Sequence, residues 1–101
     1  MKYLIIGKTS QIGSALVKEI QILKDEIVAL DSNEFNIMWD LKFPKILDEI
    51  KPNVVINCAA YNDLKICEID PINAFKINCF AVNKMAKECH KKNIKFITFS
   101  T

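Results

Sequence analysis

The sequence predicts an α/β protein in which one parallel sheet carries helices on both faces. Short apolar segments alternate regularly with segments of helical spacing. The apolar segments are hydrophobic throughout, which is typical of strands buried on both faces of a parallel sheet. The chain has 101 residues and 50% of them are hydrophobic, enough for one small domain with one core.

The first strand is predicted at Tyr3–Ile6 and stops at Gly7. A helix follows from Gln11, because apolar residues recur there at helical spacing. These residues are Ile12, Leu16, Ile20 and Leu23. A second strand is predicted at Glu26–Leu30, and Asp31 ends it.

The segment Ser32–Trp39 has no periodicity and is predicted to be a loop. Asp40 is predicted to cap a second helix, and Pro44 suits the first turn of that helix. The apolar stripe of this helix is Ile46, Leu47 and Ile50. Val54–Asn57 is predicted as the third buried strand.

The segment Asn62–Ile69 is ambiguous between a loop and a helical turn. Asp70 is predicted to cap a third helix that starts at Pro71. Its apolar residues in register are Ala74, Ile77, Ala81, Met85 and Cys89. Lys95–Phe99 is predicted as the fourth strand, at a sheet edge with exposed apolar residues.

Four strands joined by helices predict right-handed crossovers onto one sheet. With the first strand central, the predicted sheet order is third, second, first, fourth, as in part of a doubly wound fold. No internal repeat or linker divides the chain, so residues 1–101 form one predicted domain.

Charge and hydropathy exclude several classes of protein. The net charge is +2, and all 14 basic residues are lysines, so the arginine forks that read guanine or clamp phosphate are absent. We therefore expect no nucleic-acid partner.

No apolar run approaches the ~18 residues of a membrane span. Because the start also lacks a secretory signal pattern, a cytoplasmic location is the expectation.

The cysteines indicate neither a metal site nor a disulfide framework. They are Cys58, Cys67, Cys79 and Cys89, with no Cys-x-x-Cys pair among them. We expect free thiols and no metal. His90 lies near a predicted helix end, where a basic side chain complements the helix dipole.

The two glycines of the chain, Gly7 and Gly13, both lie in the turn between the first strand and the first helix. Gly7 suits a tight turn or positive φ, and Gly13 lets the helix approach the sheet. The amides at the helix start then suit a phosphate. Asp31, 18 residues after Gly13, is placed to accept hydrogen bonds from adenosine ribose hydroxyls.

Ser10 stands where a dinucleotide turn usually has glycine. Its hydroxyl can bond a phosphate, but its Cβ lies at the closest backbone approach and lowers the expected affinity. A strand–helix turn that binds nothing is the alternative interpretation of the glycines alone.

Several motifs in order resemble the dTDP-4-dehydrorhamnose reductases, members of the extended short-chain dehydrogenase/reductases. Gly7–Gly13 resembles their nucleotide turn, Val54–Tyr61 their strand followed by small residues, and Ile97–Thr101 their strand ending in Ser-Thr. The resemblance implies a Rossmann-like, truncated doubly wound fold. It also implies reduction of the keto group of dTDP-4-dehydro-L-rhamnose with NADH or NADPH.

The resemblance also implies which residues contact the cofactor. The family's phosphate contacts match Ser10, Gln11 and Ile12, and its adenosine ribose contact matches Asp31. Asp40 and Leu41 match the residues at the adenine. The residues near the inner ribose and the nicotinamide match Ala60, Tyr61 and Asn62. Asp31 would repel a 2′-phosphate, and Ser32 and Asn33 carry no positive charge, so a preference for NADH, or a relaxed preference, is expected over strict use of NADPH. Lys8 is the cation that can reach this position.

The family's general acid is a tyrosine with a lysine four residues on, assisted by a Ser/Thr hydroxyl. Thr101 matches the Ser/Thr position, and the tyrosine and lysine would follow position 101. Tyr61 and Lys65 have the same spacing but lie in the segment that matches the cofactor loop, so we interpret this pair as coincidence. The chain is therefore interpreted as the N-terminal, cofactor-binding fragment of a larger reductase.

The nucleotide-sugar substrate would be a partner of the full-length protein, and a homodimer stays open. Two alternatives also stay open. One is a non-catalytic nucleotide-binding or regulatory homologue, of the type of the methionine adenosyltransferase regulatory subunit. The other is a reductase or epimerase that acts on another nucleotide sugar.

Overall fold

The computed structural model describes residues 1–37, 40–59 and 71–99, with residues 40 and 73–78 described by their backbone alone. Strands and helices alternate along these residues, as predicted. The strands are β1 (Lys2–Ile6), β2 (Glu26–Leu30), β3 (Val54–Asn57) and β4 (Lys95–Thr98). The helices are α1 (Gln11–Ile22), α2 (Phe43–Ile50) and α3 (Pro71–Lys91), and a 3₁₀ turn at Asp40–Lys42 precedes α2.

The four strands form one parallel sheet in the order β2-β1-β3-β4. The predicted order, with the third strand outside the second, is therefore wrong. β3 lies beside β1 instead, with register from Tyr3 opposite Val54 to Ile6 opposite Asn57. The connection after β2 crosses back over β1, and this reversal makes the fold doubly wound.

The reversal of direction decides which face each helix covers. Because the crossovers are right-handed, the connection from β1 to β2 places α1 on one face, and the later connections place α2 and α3 on the other. The α2/α3 face of the core comprises Leu4, Ile6, Phe35, Ile37, Phe43, Leu47, Val55, Ala81, Met85 and Cys89. The α1 face comprises Ile5, Ile20, Val54 and Ile56. Neighbouring strand residues alternate between the two faces, as the pleat requires.

The segment after β2 explains the error in strand order. It is irregular, as predicted, but Phe35 and Ile37 are only 2% and 4% exposed. The Phe35 ring lies 5.6 Å from the Phe43 ring, centroid to centroid. This segment therefore packs on the α2/α3 face and leads the chain back across β1.

The start of α2 also differs from the prediction. Asp40 does not cap α2, because it begins the 3₁₀ turn, and the helix starts at Phe43 with Lys42 at the N-cap and no side-chain cap bond. Pro44 occupies the first turn of α2, where its missing N–H costs nothing. The predicted cap of α3, Asp70, lies outside the described residues. His90 lies in the last turn of α3, as predicted.

β4 is an edge strand of the described sheet and ends one residue before the predicted limit. Ile97 and Phe99 are 37% and 43% exposed, so the predicted apolar edge is confirmed. Within residues 1–37, 40–59 and 71–99, no helix is both long and apolar enough to cross a membrane.

We predict that Phe35→Ala lowers the free energy of unfolding by about 3–5 kcal/mol, because it leaves a cavity in the core. The matched control is Phe80→Ala on α3, where the ring is 62% exposed. A change below about 0.5 kcal/mol is expected there. Urea unfolding of both variants measures the difference. Equal losses for the two phenylalanines would contradict the anchoring role of Phe35.

Candidate functional site

The carboxyl ends of β1 and β3 meet at the point where the winding of the sheet reverses. In doubly wound folds, ligands bind in the crevice at this switch point. Gly7 follows β1, and Cys58 and Ala59 follow β3. The Cys58 N–H donates to the Ile6 carbonyl at 2.8 Å, so the two strand ends remain in register beside the crevice.

Gly7 is the tightest point between these strand ends. Its φ is +85°, in the region that disfavours side chains. A Cβ at this position would lie 2.7 Å from the Ala59 nitrogen and 2.8 Å from the Cys58 carbonyl carbon. Backbone atoms cannot move away as a flexible side chain can, so this position requires glycine. The predicted positive φ at Gly7 is confirmed.

Gly13 lets α1 approach the turn that precedes it. A Cβ at Gly13 would collide with the Gly7 carbonyl oxygen and lie 2.9 Å from the Ser10 Oγ. The predicted close approach at Gly13 is therefore present, although the nearest atoms belong to Gly7 and Ser10 of the turn and not to the sheet itself. The two glycines fit against each other and bring the start of α1 over the crevice.

Ser10 is the N-cap of α1, and its Oγ accepts a hydrogen bond from the Gly13 N–H at 3.0 Å. A serine hydroxyl that accepts one hydrogen bond can still donate its own proton. In the described part of the chain, the N–H groups of Gln11 and Ile12 have no acceptor. The first turn of α1 also contains no acidic residue. This helix start therefore offers donors to an anion without opposing charge.

Asp31 organises the turn that follows β2. Its Oδ1 accepts hydrogen bonds from the Asn33 N–H at 2.9 Å and the Glu34 N–H at 3.0 Å. Glu34 Oε1 accepts in return from the Asp31 N–H at 3.1 Å. Among the described residues, the Asp31 carboxylate accepts these two hydrogen bonds, and both are accepted by Oδ1. Within that part of the chain, its Oδ2 accepts no hydrogen bond.

Lys8 and Glu34 join the turn between β1 and α1 to the turn that follows β2. Lys8 Nζ lies 2.9 Å from Glu34 Oε1, and the Gly7 and Lys8 N–H groups both donate to the Leu30 carbonyl. The hydrogen bond from Lys8 lowers the pKa of Glu34, and the same contact raises the pKa of Lys8. The pair is therefore intact at neutral pH, and protonation of Glu34 at acidic pH or deprotonation of Lys8 at alkaline pH would break it.

Glu34 was not among the predicted site residues. The signal for it is the spacing Asp31-x-x-Glu34, in which each carboxylate caps the backbone of the other, as in a capping box. Because no helix follows, that pattern was not recognised at the sequence level.

Asn57, at the end of β3, is a second residue that the sequence analysis missed. It is 1% exposed, and its Oδ1 accepts from the Ala59 N–H at 3.1 Å. Its Nδ2 donates to the Ala59 carbonyl and, at 3.2 Å, to the Thr98 Oγ1 of β4. Asn57 thus fixes the segment that Gly7 contacts. An amide that ends an otherwise apolar strand was the available signal.

The Cys58 and Cys89 thiols are poor nucleophiles at neutral pH, because burial raises their pKa. Cys58, Cys79 and Cys89 are free, as predicted, and Cys67 lies outside the described residues. Burial raises the pKa of the Cys58 thiol. Burial, with the nearby Glu88 carboxylate, raises the pKa of Cys89 to about 11. Among the residues that the structure describes, no group of three His, Cys, Asp or Glu side chains could hold a metal ion.

The structure brings together the predicted phosphate and ribose residues but does not describe the whole predicted site. Leu41 is 90% exposed in the 3₁₀ turn, and the side chain of Asp40 is not described. The predicted residues Ala60, Tyr61, Asn62 and Thr101 lie outside the described residues.

The fold and the turn define the class of Rossmann-like α/β domains. The sequence profile of the family described as the RmlD substrate binding domain matches residues 1–101. The chain belongs to that family.

Named relatives agree with this assignment. The dTDP-4-dehydrorhamnose reductase of Aggregatibacter actinomycetemcomitans is 34% identical over 99% of this chain and 34% of its own length. The Escherichia coli dTDP-4-dehydrorhamnose reductase is 30% identical over 100% of this chain and 35% of its own length. The chain thus spans about a third of the length of these relatives.

A solved structure supports the same conclusion. The dTDP-4-dehydrorhamnose reductase of Clostridium acetobutylicum has a TM-score of 0.81 and 32% identity to this chain, covering 95% of it and 34% of that enzyme. The predicted fold class and the resemblance are therefore confirmed.

We predict that Gly13→Ala destabilises the protein by about 1–3 kcal/mol, because the new methyl group forces apart α1 and the Gly7 carbonyl. Ser14→Ala, at the next and exposed position of the same helix, is the control and should change stability by less than about 0.5 kcal/mol. Thermal and urea unfolding test the pair. An unchanged Gly13→Ala variant would refute the close approach.

Proposed function

We propose that this chain is the dinucleotide-binding portion of a reductase that uses NADH or NADPH to reduce dTDP-4-dehydro-L-rhamnose. The observation that carries the proposal is the helix start at Gln11 and Ile12, where two N–H groups find no acceptor among the described residues. They follow a turn that requires glycine at position 7. Such a start is suited to a pyrophosphate.

The chain's residues fit a dinucleotide at three points. The α1 amides and the Ser10 hydroxyl would donate to the phosphates. Asp31 Oδ2 would accept from a ribose hydroxyl, since Oδ1 already holds the turn. Asn57 holds Ala59 at the strand end, where a small side chain leaves room for a ligand across the crevice.

The remaining assignments follow from the family. We propose Asp40 and Leu41 at the adenine, and Ala60, Tyr61 and Asn62 near the inner ribose and nicotinamide. Thr101 is proposed as the hydroxyl that assists the acid. A bound nicotinamide would supply the hydride. The tyrosine and lysine that supply the proton in the family would lie in the rest of a full-length protein, together with the sugar site.

The named activities of the relatives support this proposal. Those named above are dTDP-4-dehydrorhamnose reductases. The enzyme of Bacillus anthracis was solved in complex with NADP, and at 24% identity its likeness here concerns the fold. We further propose a cytoplasmic location and a nucleotide-sugar substrate for the full-length protein.

A non-catalytic nucleotide-binding homologue is the second candidate, and the serine at position 10 favours it. The gene sequence beyond codon 101 separates the two functions. A Tyr-x-x-x-Lys motif after Thr101 supports the reductase, and its absence supports a binding protein. That motif would not by itself distinguish a rhamnose reductase from a reductase or epimerase for another nucleotide sugar.

We predict that Asp31→Asn weakens NADH binding about tenfold. The amide still offers an oxygen to the Asn33 and Glu34 N–H groups, but an NH₂ donor replaces the Oδ2 acceptor. The loss corresponds to about 1.4 kcal/mol, close to the ~1.5 kcal/mol at the low end for a hydrogen bond to a charged group, which the variant no longer makes. Isothermal titration measures it. Asp48→Asn on α2 is the charge-matched control, and equal affinity of both variants would contradict the ribose contact.

We also predict that the 101-residue chain oxidises no NADH in the presence of dTDP-4-dehydrorhamnose. Without the family's tyrosine and lysine it lacks general acid catalysis, which is worth about 10²–10⁴ in rate. A full-length relative in the same absorbance assay is the positive control. Turnover at an ordinary enzymatic rate would require another acid, with Tyr61 assisted by Lys65 as the first to test.

A further inference from the structure

We propose that Glu34 determines the choice between the two dinucleotides. By holding Lys8 in an ion pair beside Asp31, it selects a ligand with free adenosine ribose hydroxyls over one with a 2′-phosphate. The inference rests on the proposed dinucleotide site and identifies a specificity-determining residue within it.

The contacts of Glu34 make this ion pair part of the turn. One oxygen, Oε1, accepts both from Lys8 Nζ at 2.9 Å and from the Asp31 N–H at 3.1 Å. The Glu34 N–H in turn donates to Asp31 Oδ1 at 3.0 Å. Glu34 is therefore fixed at both its backbone and its side chain, and it presents Lys8 with an acceptor in a fixed position.

The balance of charge at this turn disfavours a 2′-phosphate. Two carboxylates, Asp31 and Glu34, face one ammonium group, Lys8, and the neighbouring Ser32 and Asn33 are neutral. A phosphate monoester brings about 1.5–2 further negative charges at neutral pH. To bind it, Lys8 must leave Glu34, which leaves that carboxylate unpaired close to the phosphate.

A ligand with free ribose hydroxyls avoids this cost. Its hydroxyl donates to Asp31 Oδ2, which the described residues leave without a hydrogen bond. The ion pair between Lys8 and Glu34 stays in place. The same argument predicts that the discrimination weakens at high ionic strength, since salt screens exposed charges.

The experiment compares the affinities of NADH and NADPH for the 101-residue chain by isothermal titration. Four forms are used: the natural sequence, Glu34→Gln, Lys8→Met and the double variant. Glutamine keeps an acceptor for the Asp31 N–H but removes the charge that holds Lys8. Glu34 is 46% exposed at its side chain, so the substitution leaves the core unchanged. A thermal melt without ligand verifies that each form is folded.

We expect Glu34→Gln to tighten NADPH binding about three- to tenfold and to change NADH binding by less than about twofold. Lys8→Met should cost little NADPH affinity in the natural sequence and should abolish the gain in the Glu34→Gln background. Asp48→Asn, which breaks the 2.7 Å pair with Lys92, is the matched control and should leave both affinities unchanged.

The outcomes separate the two proposals. If the natural sequence binds neither dinucleotide, the proposed function fails and this inference with it. If it binds NADH but Glu34→Gln leaves the ratio of the two affinities unchanged, the role of Glu34 is refuted and the dinucleotide site stands. A gain that survives in the double variant would also refute the inference, because Lys8 would then not be the group released.

Discussion

The candidate site depends on the close approach of three backbone segments at the end of β1. The turn at Gly7 touches the segment after β3, and α1 touches the turn through Gly13. A single Cβ at either position would occupy space that backbone atoms already fill. Because the approach is this close, the first amides of α1 lie directly over the gap between β1 and β3. The donors and the crevice are therefore products of one steric constraint.

Hydrogen bonds between pairs of polar residues fix the segments that follow β2 and β3. Asn57 ties the end of β3 to Ala59 and to Thr98 of β4. Asp31 and Glu34 cap each other's backbone and hold the turn after β2. Buried amides and reciprocally capped carboxylates lose little entropy when a ligand arrives, since their positions are already set. The site is thus organised by the fold before any ligand binds.

The turn before α1 and the turn after β2 differ in the charges that they present. The first turn of α1 holds no acid, and two of its N–H groups have no acceptor among the described residues, whereas the turn after β2 has two carboxylates, one of them paired with Lys8. An anionic group therefore fits the first turn, and a hydroxyl donor fits the second. This division matches the two ends of an adenosine diphosphate and gives the proposed orientation of the dinucleotide a physical basis.

The sequence by itself determined the four described strands, the existence of the three described helices and the glycine turn, because apolar periodicity and the need for glycine are local properties. It also indicated the family, through short motifs in order, but it placed the start of α2 wrongly at Asp40. It also placed Asp31 correctly after β2. Tertiary structure alone decided the strand order, since burial of Phe35 and Ile37 sends the chain back across β1. It alone paired Lys8 with Glu34 and Asn57 with Thr98, residues that are 26 and 41 positions apart. Such contacts arise only when parallel strand ends meet at one edge of a sheet, and no local pattern encodes that meeting.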